Sequence, residues 1–446
     1  MKDVVVHRFR TRAVLVGAAL SATFAATTHA PAQPSSAPTF RTYAHPSDTK
    51  GAWEPTIGVN RETGAVMYQS GLNTYRVTGF ESGSPEWTTA NSVLTSIESF
   101  DPILTTDFET GRTFVSQLTL ACSLMAYTDT DGRTWQEVPD GCGVGSFFDH
   151  QSVGTGAFVR GGRLQPATSY PRAVYYCSQA TAATNCATSV DGGLTFLPAV
   201  NAWHIASGCS TIHGHIASAP DGTVYVPPRR CGQGVGVAVS ENNGLSWAIR
   251  TVPDSIAGAA KDPSIAAGAD GTAYLAWGQG GDELDTVPHV AVTRDRGRTW
   301  TEPVALGREY GIRNTAFIAT VAGDGNRAAV AFLGTPTGGP NQTPAFAGVW
   351  RLYVSFTYDR GATWRTVLAT PGSPVQVGKI CTGGIACNDG TRNLLDFMGA
   401  TIDPHGRVLV GFADGCLESM CDSSARFAAA TIARQHSGRT LYRLND

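Results

Sequence analysis

The chain has 446 residues, with 33 Lys and Arg against 36 Asp and Glu, for a formal charge of -3. That slightly acidic balance argues against nucleic acid or an anionic membrane as the main partner, since both call for a basic face. Fifty-one glycines and many short β-branched runs, with little helical periodicity, point to an all-β protein.

The chain opens with a leader. Lys2, Arg8, Arg10 and Arg12 surround or precede the apolar run "AVLVGAALSATFAATTHA", which is short for a bilayer span and has the form of a secretory signal. Cleavage is expected after Ala30 or Ala32. Residues 1–32 then form the signal peptide, 33–45 a flexible mature start and 46–446 one domain. Four basic residues and one acidic residue lie in the leader, so the remainder carries -6. No later run approaches the roughly 20 apolar residues of a membrane helix. The expected location is secreted or periplasmic, without a membrane span.

Ten cysteines agree with export, because disulfides persist in oxidising compartments, and none is arranged as CxxC. Nearest-neighbour spacing suggests Cys122 with Cys142, Cys177 with Cys186, Cys209 with Cys231, Cys381 with Cys387 and Cys416 with Cys421.

From Glu54 onward the sequence repeats itself. The units begin "EPTIGVNRETGAVMY", "DPILTTDFETGRTFV", "DHQSVGTGAF", "HGHIASAPDGTVYV", "DPSIAAGADGTAYLAW", "NTAFIATVAGDGNRAAVAF" and "DFMGATIDPHGRVLVGF". Each has a polar start, a short strand, a glycine turn and a second strand. The seven starts, Glu54 to Asp396, recur on average every 57 residues, room for a four-stranded sheet and its connections.

Within five units a second motif lies between a third and a fourth strand: "TDTDGRTW", "TSVDGGLTF", "VSENNGLSW", "VTRDRGRTW" and "FTYDRGATW". The first opens like a calcium loop with Asp129 and Asp131. However, Arg133, Thr134 and Trp135 stand in the ligand region, and Val138 replaces the closing Glu. A hairpin explains the residue types better. Asp or Asn bonds the turn amides, Gly accepts positive φ, Thr caps the return strand and the final aromatic fills the groove between sheets.

These copies resemble the Asp box of the sialidase or BNR-repeat superfamily of β-propellers. The resemblance covers nearly all of the mature chain and implies a single β-propeller with Asp-box hairpins. The seven units imply seven four-stranded blades, with six, as in true sialidases, the alternative. The sialidase reaction itself is not implied. The first blade opens "WEPTIG" without the expected arginine of the carboxylate-binding triad, and no Tyr/Glu nucleophile pair can be assigned.

Connections in such a blade alternate between faces. The glycine turns joining strands one and two share a face with the Asp boxes, and the inter-blade linkers lie opposite, with all the cysteines. The starts of the innermost strands then form a ring: Glu54, Asp101, Asp149 with His150, His213 with His215, Asp262, Asn314 and Asp396. Asp149, His150, His215, Asp262 and Asp396 are the candidate catalytic residues. Asp101, His213, Arg230, Arg313 and Asn314 are candidate substrate contacts, with Arg229 and Arg392 on the same face, and Trp203, Phe147 and Tyr310 could stack on sugars.

In a strand, His213 and His215 of "IHGHI" project to one side. With His150 they could take a divalent metal, although the pattern requires no cofactor. Two carboxyls about 5–9.5 Å apart would make a glycoside hydrolase, the first expectation for an extracellular glycan substrate. His and Arg would instead suit a polysaccharide lyase acting on uronates. A glycan-binding module without catalysis is the third reading, and a monomer is expected. "NQT" at Asn341 matches a glycosylation acceptor.

Overall fold

Each repeat folds into one antiparallel sheet whose strands follow sequence order outward from a central axis. The computed structural model describes residues 1–2, 37–119, 123–138, 150–258, 262–280, 285–387, 390–416, 421 and 427–443. Blade 1 is Thr56–Val59, Val66–Ser70, Asn73–Thr78 and Glu86–Thr89. The innermost strands of blades 2 to 7 are Pro102–Thr106, Gln151–Ala157, Ala217–Ser218, Ser264–Ala267, Asn314–Ala322 and Gly399–Ile402. Each innermost strand touches the next, and the last touches the first. This is a seven-bladed β-propeller, and the six-bladed alternative falls.

Blade 7 corrects the expected flexible start over 33–45. Thr39–Ala44 forms its outermost strand, antiparallel to Ala429–Ser437, with Tyr43 opposite Ile432. The propeller therefore begins at Thr39 rather than at residue 46. Phe40 is buried 6.3 Å from the Phe356 ring, and Tyr43 meets Phe80 at 5.4 Å. This pairing covers a sheet edge that would otherwise be open. The expected signal peptide lies outside the described residues apart from Met1 and Lys2. Among the described residues, no helix is long and apolar enough to cross a membrane.

Large side chains fill the spaces between blades, with Tyr68, Tyr175, Tyr176, Trp277 and Trp350 fully buried. Burial of each such side chain contributes about 1.5–3 kcal/mol. The hairpin aromatics do what their position predicted. Trp135 packs on Met67 of blade 1 and on Leu104 and Val115 of blade 2. Phe196, Trp247, Trp300 and Trp364 join the equivalent clusters farther round.

The hairpins follow one hydrogen-bond plan. Asp295 accepts the Thr299 amide at 2.8 Å and its hydroxyl at 2.7 Å. Asp191 and Asp359 hold Thr195 and Thr363 in the same way, and Asn242 accepts the Ser246 amide while its Nδ2 donates to the Ser246 hydroxyl. In "TDTDGRTW" the acid expected to do this does not. Thr130 takes the role, its hydroxyl accepting the Thr134 amide at 2.9 Å. Asp131 stands one residue on, at φ 53°, buried and accepting Asn60 Nδ2 at 2.8 Å.

Asn60 belongs to the strand one–two turn of blade 1. Likewise Asn243, in the blade 4 hairpin, accepts the Val159 amide beyond the innermost strand of blade 3 at 2.8 Å. These bonds put both kinds of turn on one face, as strict alternation requires, and leave the linkers on the other.

Four disulfides join the cysteines that spacing paired: Cys177–Cys186, Cys209–Cys231, Cys381–Cys387 and Cys416–Cys421. Cys122 and Cys142 lie outside the described residues. Asn341 is buried and donates to Asn314 Oδ1 at 2.6 Å. Its amide is therefore withdrawn from the surface, and the glycosylation reading falls.

Candidate functional site at the linker-side mouth of the channel

The segment 211–216 leads from a blade linker into blade 4. It is extended but is not part of the sheet, whose strand begins only at Ala217. The Gly214 amide donates to the Pro227 carbonyl and the Arg229 amide to the Ile212 carbonyl, both at 2.8 Å. A Cβ on Gly214 would collide with the Pro263 carbonyl oxygen. Glycine there lets the start of blade 5 close onto this segment, which sets Asp262 beside the histidines.

His213 and His215 both lie near His150 and Asp262, with the His150 and His213 rings 6.3 Å apart, but their immediate surroundings differ. His213 is 1% exposed, with Nδ1 2.8 Å from the Gly214 carbonyl oxygen and its ring edge-on to Trp203 at 6.0 Å. The carbonyl acceptor assigns the proton to Nδ1, and the buried Nε2 has no hydrogen-bond partner. His215 instead lines the channel, edge-on to Phe397 at 4.7 Å. Among the described residues no hydrogen bond occupies its ring nitrogens.

Three blades meet at Asp262. Arg229, from blade 4, donates through Nε to Asp262 Oδ1 at 2.6 Å. His150, at the entrance to blade 3 with φ 56°, brings Nε2 to 3.5 Å from Asp262 Oδ2 and 3.4 Å from Arg229 Nη2. Burial alone would raise the Asp262 carboxyl, but the Arg229 charge and the neighbouring imidazoles outweigh it and hold the group below the usual carboxylate range. Desolvation pushes the His213 and His215 imidazoles down to about 4, so both are neutral bases near pH 7.

Asp396 lines the same cavity of about 170 Å³ as His215 and Asp262. Its two oxygens accept the Arg392 fork at 2.7 and 2.6 Å.

The remaining ring members have other tasks. Asp101 is buried and accepts the Gln151 amide at 2.9 Å, positioning the entrance to blade 3. Asn314 is fully buried, accepting from Thr286 and Asn341 and donating to the Thr337 and Gly339 carbonyls. It braces a loop and is no substrate contact. Glu54 is buried at φ 51°.

Arg313 is largely exposed and pairs with Asp285 at 2.6 Å. Arg230 is exposed as well, and its neighbour Arg229 makes the site contacts, because successive residues of an extended chain face opposite ways. Alternation could have chosen between them had the partner at Asp262 been known. Phe397, which sets the His215 ring, carried no signal beyond lying next to Asp396.

Of the aromatic candidates, Trp203 is buried with Nε1 donating to the Ser210 carbonyl at 2.9 Å, and Tyr310 packs on Tyr353 at 5.0 Å. Both act in loop packing. Asp149 and Phe147 lie outside the described residues. Among the described residues no group of three His, Cys, Asp or Glu side chains is arranged to hold a metal ion.

No protein-family model and no curated protein matches this chain. Among solved structures it is similar to a GH74 enzyme from Niastella koreensis, with 16% identity, 84% of this chain and 54% of that one covered, and a TM-score of 0.49. It is also similar to a protein of unknown function from Dyadobacter fermentans, with 14% identity, 89% and 98% covered, and a TM-score of 0.45. A third is a polysaccharide lyase of family PL25, an ulvan lyase bound to -[GlcA(1-4)Rha3S]-, with 11% identity, 89% and 96% covered, and a TM-score of 0.48. The chain spans about half the length of the GH74 enzyme.

The chemistry of the site rests on its own geometry. A neutral imidazole opens onto the channel, and two Arg–Asp pairs border the same mouth. A carboxyl whose oxygens both accept guanidinium donors has no free position from which to deliver a proton to a leaving group. Asp396, whose two oxygens take the Arg392 fork, is therefore poorly set as the acid of a hydrolytic pair, and Asp262 is held ionised by Arg229 on one oxygen with His150 Nε2 3.5 Å from the other.

Proposed function

We propose that the protein is an exported carbohydrate-active propeller that cleaves a uronate-containing glycan by β-elimination. The observation that carries this reading is His215, a neutral imidazole lining the channel beside the Asp262–Arg229 pair, whose ring nitrogens take no hydrogen bond among the described residues. Export is supported by the leader and the four disulfides.

In this mechanism His215 removes the proton α to the uronate carboxylate. The C–H electrons form a C4–C5 double bond as the C4–O bond breaks, and the departing oxygen takes up a proton. Arg229 and Arg392 place positive charge where the carboxylate gains electron density. His150 and Asp262 act as positioning residues, holding Arg229 and the blade 5 entrance against the histidine segment. A two-carboxyl hydrolysis is less well supported, because each carboxylate is engaged by arginine.

Incubation with a panel of uronate polysaccharides should release an ultraviolet-absorbing unsaturated product, and His215→Ala should remove it by at least about 100-fold. New reducing ends without that absorbance would overturn elimination in favour of hydrolysis. Saturable binding without turnover would favour a glycan-binding module.

A further inference from the structure

The other end of the channel, on the hairpin face, opens into a larger cavity of about 720 Å³. The turns that follow the innermost strands of blades 1 and 2 supply Arg61 and Phe108, and the C-terminal tail adds Tyr442. Thr105, Thr155 and Ser218 supply hydroxyls from the strands behind them.

The Arg61 guanidinium carbon lies 4.0 Å from the Phe108 ring centre and 5.0 Å from that of Tyr442. The two rings meet edge to face at 6.3 Å. The guanidinium is thus held between aromatic faces, an attractive arrangement that also restricts its rotamers. Among the described residues no carboxylate pairs with it.

The other charges at this mouth are engaged or peripheral. Arg172 pairs with Asp107 at 3.2 Å, and Arg443 bonds Asn326 Oδ1 at 2.9 Å while its amide meets Asp324 at 2.6 Å. Glu109 is exposed.

One further feature points to a ligand: Phe108 is 41% exposed at the cavity rim, although an apolar ring gains from burial, while Tyr442, at 7% exposed, backs the guanidinium from behind.

We propose that this mouth is a second saccharide site, selective for a sugar bearing a carboxylate or a sulfate. The Arg61 fork takes the anion, the Phe108 ring takes the apolar C–H face of the sugar, and the hydroxyl-bearing side chains meet its hydroxyls. The cavity volume lies within the usual range for small-ligand pockets, about 300–1,000 Å³. Arg61, Phe108 and Tyr442 do not line the cavity that holds His215, although Thr105 borders both, so the site stands whether or not the protein is a lyase.

Calorimetry on the intact protein would use a glucuronate-containing disaccharide, a sulfated disaccharide and an uncharged disaccharide of equal size. Saturable binding is expected for at least one anionic probe, and the two anionic arms identify which group is preferred. Arg61→Ala and Phe108→Ala should each weaken it at least about tenfold, and Asp295→Ala, in a hairpin that lines neither cavity, should leave it unchanged. Arg61→Lys, which keeps the charge and loses the fork, and Phe108→Leu provide milder variants should the alanine forms melt early.

The proposal is overturned if the wild-type protein binds no probe or binds the uncharged sugar equally well. It is also overturned if binding survives Arg61→Ala and Phe108→Ala in folded protein.

Discussion

Lowering the pH from 6 to 4.5 loads the unfolded chain with protons that the folded propeller refuses. His213 and His215 have folded values near 4 against an ordinary 6.5. Their stabilising preference for the neutral form is complete above 6.5 and is lost as the pH falls toward 4. The slope is at most about 1.4 kcal/mol per pH unit for each imidazole. His215 touches channel water and should fall short of that limit. Asp414 opposes them. Burial pushes its carboxyl up to about 6, so between about 4 and 6 the folded state holds a proton that the unfolded state releases, and acid favours folding there. One imidazole is roughly cancelled, leaving a net loss of about 2 kcal/mol between pH 6 and 4.5. Urea unfolding at a series of pH values, with disulfides intact, measures it. Asp414→Asn should steepen the acid loss and His215→Asn should flatten it. Parallel curves for all three proteins would refute the reasoning.

Asp295→Ala removes two bonds to Thr299 and should cost about 1 kcal/mol in urea unfolding, whereas Thr130→Asp restores the usual hairpin acid and should be neutral or stabilising. Phe40→Ala should lose about 3 kcal/mol, read as a lower melting temperature, because the ring is buried where the N-terminal strand closes blade 7. Gly214→Ala forces the Pro263 carbonyl away and should reduce turnover at least tenfold while the four disulfides, checked by mass spectrometry, remain formed.

Seven blades were legible because one unit recurs, and each recurrence must solve the same packing problem with the same residue types. Four disulfide pairs were legible because their members are neighbours in sequence, 5 to 22 residues apart. Closure by Thr39–Ala44 was not, since a lone strand beside a leader has no repeat partner in sequence. The site was legible as a ring of positions but not as a set of partners. Asp101 and Asn314 occupy the same repeat position as Asp262, and only folding reveals that Asp101 accepts the blade 3 Gln151 amide while Asn314 braces Thr286 and the 337–341 loop. The choice of Arg229 over Arg230 depends on which way an extended backbone faces, and that is set by the Ile212 and Pro227 pairings made across the chain.

The contrast among those equivalent positions separates structure from chemistry at this mouth. Asp101 reaches across to blade 3, where it accepts the Gln151 amide, a backbone bond that positions a strand entrance. Asp262 draws its partners from two other blades, and the approach requires a glycine at 214 and a positive φ at His150. Burying a charged pair offers little net stability over a well-packed apolar pair, and left-handed backbone at a non-glycine residue adds cost. Left-handed backbone also occurs at Glu54 and Leu395, at the entrances to blades 1 and 7, so strain alone does not single out this mouth. The Arg229–Asp262–His150 contacts across three blades, beside the His215 imidazole that lines the channel, are what direct the functional reading to blades 3, 4 and 5.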